Sequence, residues 1–238
     1  MKLNFIVALL ALVLLSCTHQ STYIYPAPAS FTRPDPVYKS VAQISIEHTL
    51  GTATGTAFAI GNINNNTYMV TVQHLCETRG KRLVAFSIPD TKAGREKYTG
   101  KVVYTDPKND VCIIRVYETG ERFVPLRLAK TAPRAGDKVY TIGAPSGTFP
   151  TKTGGYVVGH DLLGMEPDDG STKVMLVTSI PAFSGNSGGP VYNEQHEVVG
   201  MIAATHKKYP HLSISTHVEI LFEHLQKYFK RKPNKYYN

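Results

Sequence analysis

Phe183-Ser184-Gly185-Asn186-Ser187-Gly188-Gly189-Pro190 surrounds one serine with glycines on both sides. Glycine backbones permit a tight turn that a side chain would block, so the Ser187 hydroxyl projects while consecutive N–H groups converge on one spot. Such a spot suits a developing oxyanion, and Gly185 and Ser187 are its candidate donors. A serine hydroxyl is a weak nucleophile at neutral pH and needs a base, itself oriented by a third group. The stretch therefore predicts a histidine and a carboxylate elsewhere in the chain.

Both occur at the ends of apolar runs. Tyr68-Met69-Val70-Thr71-Val72-Gln73-His74 reads as a strand delivering a histidine, and Asp110-Val111-Cys112-Ile113-Ile114-Arg115-Val116 as a strand opened by an aspartate. Asp106 competes with Asp110, but the Ile-Ile-Arg-Val run favours Asp110. In the order His, Asp, Ser, the motifs T-x-x-H at Thr71–His74, D-[LIV]-x-[LIV] at Asp110–Ile113 and G-[DN]-S-G-G-P at Gly185–Pro190 resemble those of the trypsin-like, chymotrypsin-fold serine peptidases. The lipase-type arrangement runs Ser, Asp, His on an α/β fold and is excluded by this order.

The resemblance covers roughly residues 38–230 and implies an all-β fold, two six-stranded antiparallel β-barrels with a C-terminal α-helix. It also implies a serine endopeptidase with His74, Asp110 and Ser187 as triad. The alternative is a catalytically silent interaction module on the same fold. By the same analogy Pro181, Ala182, Phe183, Ser184, Ile202, Ala203 and Ala204 line the substrate pocket. These residues are small or uncharged, so the expected preference is for a small or medium apolar side chain. His206 and His211 are the polar groups that could reach in. Asn186 replaces the aspartate that receives a freed amine in zymogen-activated relatives, which points to a site formed without N-terminal insertion.

The strand pattern agrees with two barrels. Short β runs punctuated by Gly, Asn, Asp and Pro fall at 41–47, 54–60, 67–72, 82–88, 100–105 and 111–117, then at 138–142, 155–160, 173–179, 189–192, 198–204 and 212–215. A polar connector with Pro125, Pro133 and Gly136 separates the sets. Thr216 with Glu219 has a capping-box signature, and Val218, Leu221, Phe222 and Leu225 continue at helical spacing to about Phe229. No PDZ module is expected after that helix.

With 238 residues, 42% of them hydrophobic, the chain can bury a substantial core, which excludes a disordered tail. Residues 1–17 read as a signal peptide: Met1-Lys2, the apolar run Phe5 to Leu15, then Leu14-Leu15-Ser16-Cys17, which resembles a bacterial lipobox. Lipidation of Cys17 would anchor the protein to a bacterial membrane; ordinary secretory cleavage would leave it periplasmic or secreted. Residues 18–38, with four prolines, read as an extended linker, 39–230 as the peptidase domain and 231–238 as a basic tail. Export permits a disulfide between Cys76 and Cys112, and a pair of buried free thiols fits equally well. No further Cys or His falls at ligand spacing, so neither a metal nor another cofactor is expected. The net charge of +8 serves solubility or contact with an anionic surface, and no nucleic-acid motif accompanies it.

Overall fold

The computed structural model describes residues 35–48, 51–76, 83–90, 94–161, 174–206 and 208–230. The chain divides into two units, Met1–Pro34 and Asp35–Asn238, the first wholly outside the described residues. Outside them too lie the expected signal peptide over 1–17 with Cys17, the linker up to residue 34 and the tail over 231–238. Among the described residues no helix is long and apolar enough to cross a membrane.

Six strands close a first barrel: β1 (Val41–His48), β2 (Gly51–Ile63), β3 (Asn66–Thr71), β4 (Leu83–Asp90), β5 (Gly94–Asp106) and β6 (Val111–Val116), in the order β1-β2-β3-β6-β5-β4. A second barrel holds β7 (Lys138–Gly143), β8 (Thr151–Asp161), β9 (Met175–Thr178), β10 (Pro190–Tyr192), β11 (Val198–Thr205) and β12 (Ser213–His217). Its order, β10-β11-β12-β9-β8-β7, repeats the first, every pairing antiparallel. Bulges recur at equivalent places, on β2 at Ala59/Gly61 and β5 at Val102/Tyr104, then on β8 at Val157/Gly159 and β11 at Ile202/Ala204. A bulge adds local twist and bend, which a six-stranded sheet needs in order to close.

Strands β3 and β6 are buried on nearly every residue instead of alternately. The reason is a second layer. A helix, Val218–Lys230, packs outside the first barrel, with Phe229 edge-on to Tyr68 at 5.4 Å and Tyr228 edge-on to Tyr104 at 6.0 Å. Burial pushes the Tyr228 hydroxyl up to about 12. The inward stripe is Val218, Leu221, Leu225, Tyr228 and Phe229, joined by buried His224, while Phe222, expected on that face, is exposed.

The expected capping box does not form. Strand β12 runs on through His217, so Thr216 is a buried strand residue, and the His217 Nδ1 accepts the Glu219 N–H at 3.3 Å. At the other end, residues 35–38 were expected to close the linker but belong to the folded unit. Asp35 caps a 3-10 turn, Pro36–Ser40, whose Val37 is fully buried. Its carboxylate also accepts from Lys152 on β8 at 2.6 Å and from the Tyr192 hydroxyl on β10 at 2.8 Å. Burial would raise the Asp35 carboxyl, but these hydrogen bonds and the Lys152 charge prevail and hold it below its ordinary value. The chain entry is thereby fastened to the second barrel.

Candidate active site

His74 does not extend strand β3, as its apolar approach implied. The strand stops at Thr71, and one helical turn, α1 (Gln73–Cys76), carries the histidine. Asp110 ends the turn before β6 with φ of 53°, a left-handed backbone that Asp and Asn tolerate better than most residues. There it holds His74 at two points. Its Oδ2 lies 2.9 Å from His74 Nδ1, and its Oδ1 accepts the His74 main-chain N–H at 2.8 Å. A carboxylate only accepts, so this contact selects the Nδ1–H tautomer and leaves Nε2 as the basic nitrogen. The competitor Asp106 is occupied with its own turn, accepting from the Asn109 N–H at 2.8 Å and from Asn109 Nδ2 at 3.2 Å.

Two residues beyond each of these groups, Cys76 and Cys112 are joined in a buried disulfide, their Cα atoms 6.6 Å apart. The bond ties α1 to β6 beside the His74–Asp110 contact. Sequence spacing left the thiols open because it gives no Cα separation.

Ser187 lies in a turn with Gly185 at φ 98° and Gly188 at φ 84°. A Cβ on Gly185 would overlap the Ala144 carbonyl, and one on Gly188 would overlap Thr56 O and Thr71 Oγ1. Only glycine fits at both. The Asn186 N–H donates to Phe183 O at 2.9 Å and the Gly189 N–H to Asn186 O at 2.8 Å, closing two successive turns. Among the described residues no hydrogen-bond acceptor meets the N–H of Gly185 or of Ser187. The Ser187 hydroxyl is 3.5 Å from Ala203 O, a long and weak contact. Its backbone lies beside α1, since a Cβ on Gly55 would meet both Leu75 of that helix and Ser187 O.

Of the pocket residues, Phe183 is 63% exposed, Pro181, Ser184 and Ala204 are exposed, Ala203 is partly so, and Ala182 is buried, its carbonyl bound by Thr205 Oγ1 at 3.0 Å. Ile202 is a core residue of the second barrel and can bound a pocket only from beneath. His206 is buried, and its Nδ1 accepts the N–H groups of Lys208 and Tyr209. His211 packs its ring against Tyr209 at 6.1 Å. Asn186, buried, donates to Pro181 O at 3.4 Å. Among the described residues no group of three or more His, Cys, Asp or Glu is arranged to hold a metal ion.

Residues 55–201, from β2 to β11, match the model of the trypsin-like peptidase domain. The chain belongs to that family. It is 31% identical over 159 residues to the chloroplastic Protease Do-like 5 of Arabidopsis thaliana, covering 64% of this chain and 48% of the relative. It is also 31% identical over 140 residues to a probable periplasmic serine endoprotease, DegP-like, of Pseudomonas fluorescens, covering 58% of this chain and 27% of that protein. The chain thus spans about half the length of these curated relatives or less. The Rv3671c protease of M. tuberculosis in its active form superposes with a TM-score of 0.68 at 21% identity, covering 80% of this chain and 81% of that one, a likeness of fold. The crystal structure of Deg5 gives 0.63 at 25% identity, with 79% and 88% covered.

Sequence reading missed two residues at the site. Ser146, at φ 50°, donates its N–H to Ser184 O at 2.7 Å, and Thr56 binds the turn from the other barrel. Neither has a local signal beyond proximity to glycine, because each acts on residues far away in the chain.

Proposed function

We propose that this chain is an exported serine endopeptidase that cleaves peptide bonds through an acyl-enzyme, with His74, Asp110 and Ser187 as triad and the N–H groups of Gly185 and Ser187 as oxyanion hole. The observation that carries this reading is the two-point hold of Asp110 on His74 beside a serine turn with two donors that meet no acceptor among the described residues. Ser187 Oγ attacks the scissile carbonyl carbon as its proton passes to His74 Nε2. The carbonyl oxygen gains negative charge and takes the two N–H groups; losing one such donor in comparable sites costs roughly 3 kcal/mol. His74 then gives its proton to the amine as the C–N bond breaks, and water repeats the sequence on the ester. Asp110 stabilises the imidazolium formed in between.

Pro181, Ala182, Ser184, Ala203 and Ala204 bring no charge to the pocket, which supports cleavage after a small or medium apolar residue. The periplasmic name of the Pseudomonas relative and the apolar run ending at Cys17 support export, with the lipid on Cys17 as membrane anchor.

The test is labelling of the purified chain with a fluorophosphonate, the adduct located by peptide mass spectrometry. Wild type should carry the adduct on Ser187, and Ser187→Ala and His74→Ala should carry none. A folded wild-type protein left unlabelled would move the interaction-module reading to the front.

A further inference from the structure

Thr56 lies on β2 of the first barrel, is fully buried, and has every polar atom hydrogen-bonded. Its N–H donates to Ser187 O at 2.9 Å and its hydroxyl to Gly185 O at 2.8 Å. That hydroxyl also accepts the Ala144 N–H at 3.1 Å, and Thr56 O accepts the Thr71 hydroxyl at 2.7 Å. The two carbonyls it holds belong to the two residues whose N–H groups form the oxyanion hole.

In a trans peptide unit the C=O and N–H point in opposite directions. Holding Gly185 O toward Thr56 therefore aims the next N–H, that of Asn186, at Phe183 O, and holding Ser187 O aims the Gly188 N–H at Ile202 O, 2.8 Å away. On the other side of each donor, Ser184 O accepts from Ser146 and Asn186 O from Gly189. The peptide units flanking Gly185 and Ser187 are thus fixed before and after, and both fastenings after come from one residue. Thr71 extends the same chain of bonds to the strand that leads into α1 and His74.

We infer that Thr56 is a positioning residue that steadies the oxyanion donors from the opposite barrel, through the peptide units that follow them, and keeps them in register with the base. The inference rests on the peptidase reading above. Thr56 touches no reacting atom; it acts on Gly185 through its hydroxyl. A hole left loose should slow the chemical step and leave substrate binding nearly unchanged, because the donors bind tightest at the transition state.

The experiment compares Thr56→Val, Thr56→Ser and Thr56→Cys with wild type on a chromogenic peptide that wild type cleaves, alongside the rate of fluorophosphonate acylation. Valine keeps the volume and removes the hydroxyl; serine keeps the hydroxyl and removes the methyl. Expected are a fall in kcat of about 100-fold in Thr56→Val with KM within about twofold, and kcat in Thr56→Ser within about threefold of wild type. Cysteine, a weak donor and acceptor, should fall between them, and it decides the matter if the valine variant does not fold. Equal kcat in the serine and cysteine variants, or a valine variant acylated as fast as wild type, overturns the inference and leaves the peptidase reading intact. A wild-type chain that neither cleaves nor labels overturns both.

Discussion

The two barrels share one strand order but hold their parts of the site by different means. In the first, His74 and Asp110 are bound directly to each other, with the Cys76–Cys112 bond two residues behind. Around them lies a large apolar cluster that continues through β7, β10 and β11 into the closing helix. The second barrel has a smaller apolar cluster and an interior rich in hydroxyls. Thr178 and Ser213 pair at 2.7 Å, while the hydroxyls of Thr141 and Ser215 are buried without a partner among the described residues. Its serine turn is held through its main-chain groups, two of its carbonyls by Thr56 of the first barrel. The His74–Asp110 pair is therefore held by its own two hydrogen bonds within a covalently tied barrel, and the serine turn by the direction of a few peptide units.

The largest effect should come from separating charge from geometry in the first barrel. Asparagine tolerates the left-handed backbone of Asp110, so Asp110→Asn should fold normally yet offer the wrong tautomer to His74. A loss in kcat of about 10⁴-fold is expected, measured at a pH where wild type is most active. A loss under tenfold would mean that another carboxylate orients His74.

Next comes the covalent tie. Replacing Cys76 and Cys112 together with serine should cost about 4 kcal/mol in denaturant unfolding, from the loop entropy of a 36-residue separation. The fraction still folded should keep most of its activity, since both Asp110–His74 hydrogen bonds are independent of the sulfurs. Activity lost in parallel with no change in stability would assign the disulfide to the site instead of the barrel.

The smallest effect belongs to the second barrel. Burial pushes the His217 imidazole below its ordinary value of 6.5, with His160 adding to the shift and Glu219 opposing it. The unfolded chain therefore takes up a proton first, so this contribution to stability is complete above about pH 6.5 and is lost as pH falls below it. In His217→Gln the slope of stability against pH between 7 and 5 should flatten. A steeper slope would reverse the assignment.

The fold was legible because glycine turns, the order of three motifs and the spacing of β runs are local signals that agree with one another. What failed did so where a distant segment intervened. Thr216 and Glu219 carry a capping pattern, but β9 pairs with β12 up to Thr216 and keeps it extended. Phe222 has helical spacing yet falls off the stripe that Tyr68 and Tyr104 cover.

The sequence by itself determined the family, the candidate base, acid and nucleophile, and the glycines without which the serine turn could not close. Those are choices of residue type, visible wherever they occur in a chain. Tertiary structure alone shows that Cys76 reaches Cys112, that Asp110 holds His74 at two points, and that Thr56 joins the two barrels at the serine turn. Each of these is a distance between segments far apart in the chain, and residue types alone carry no distances.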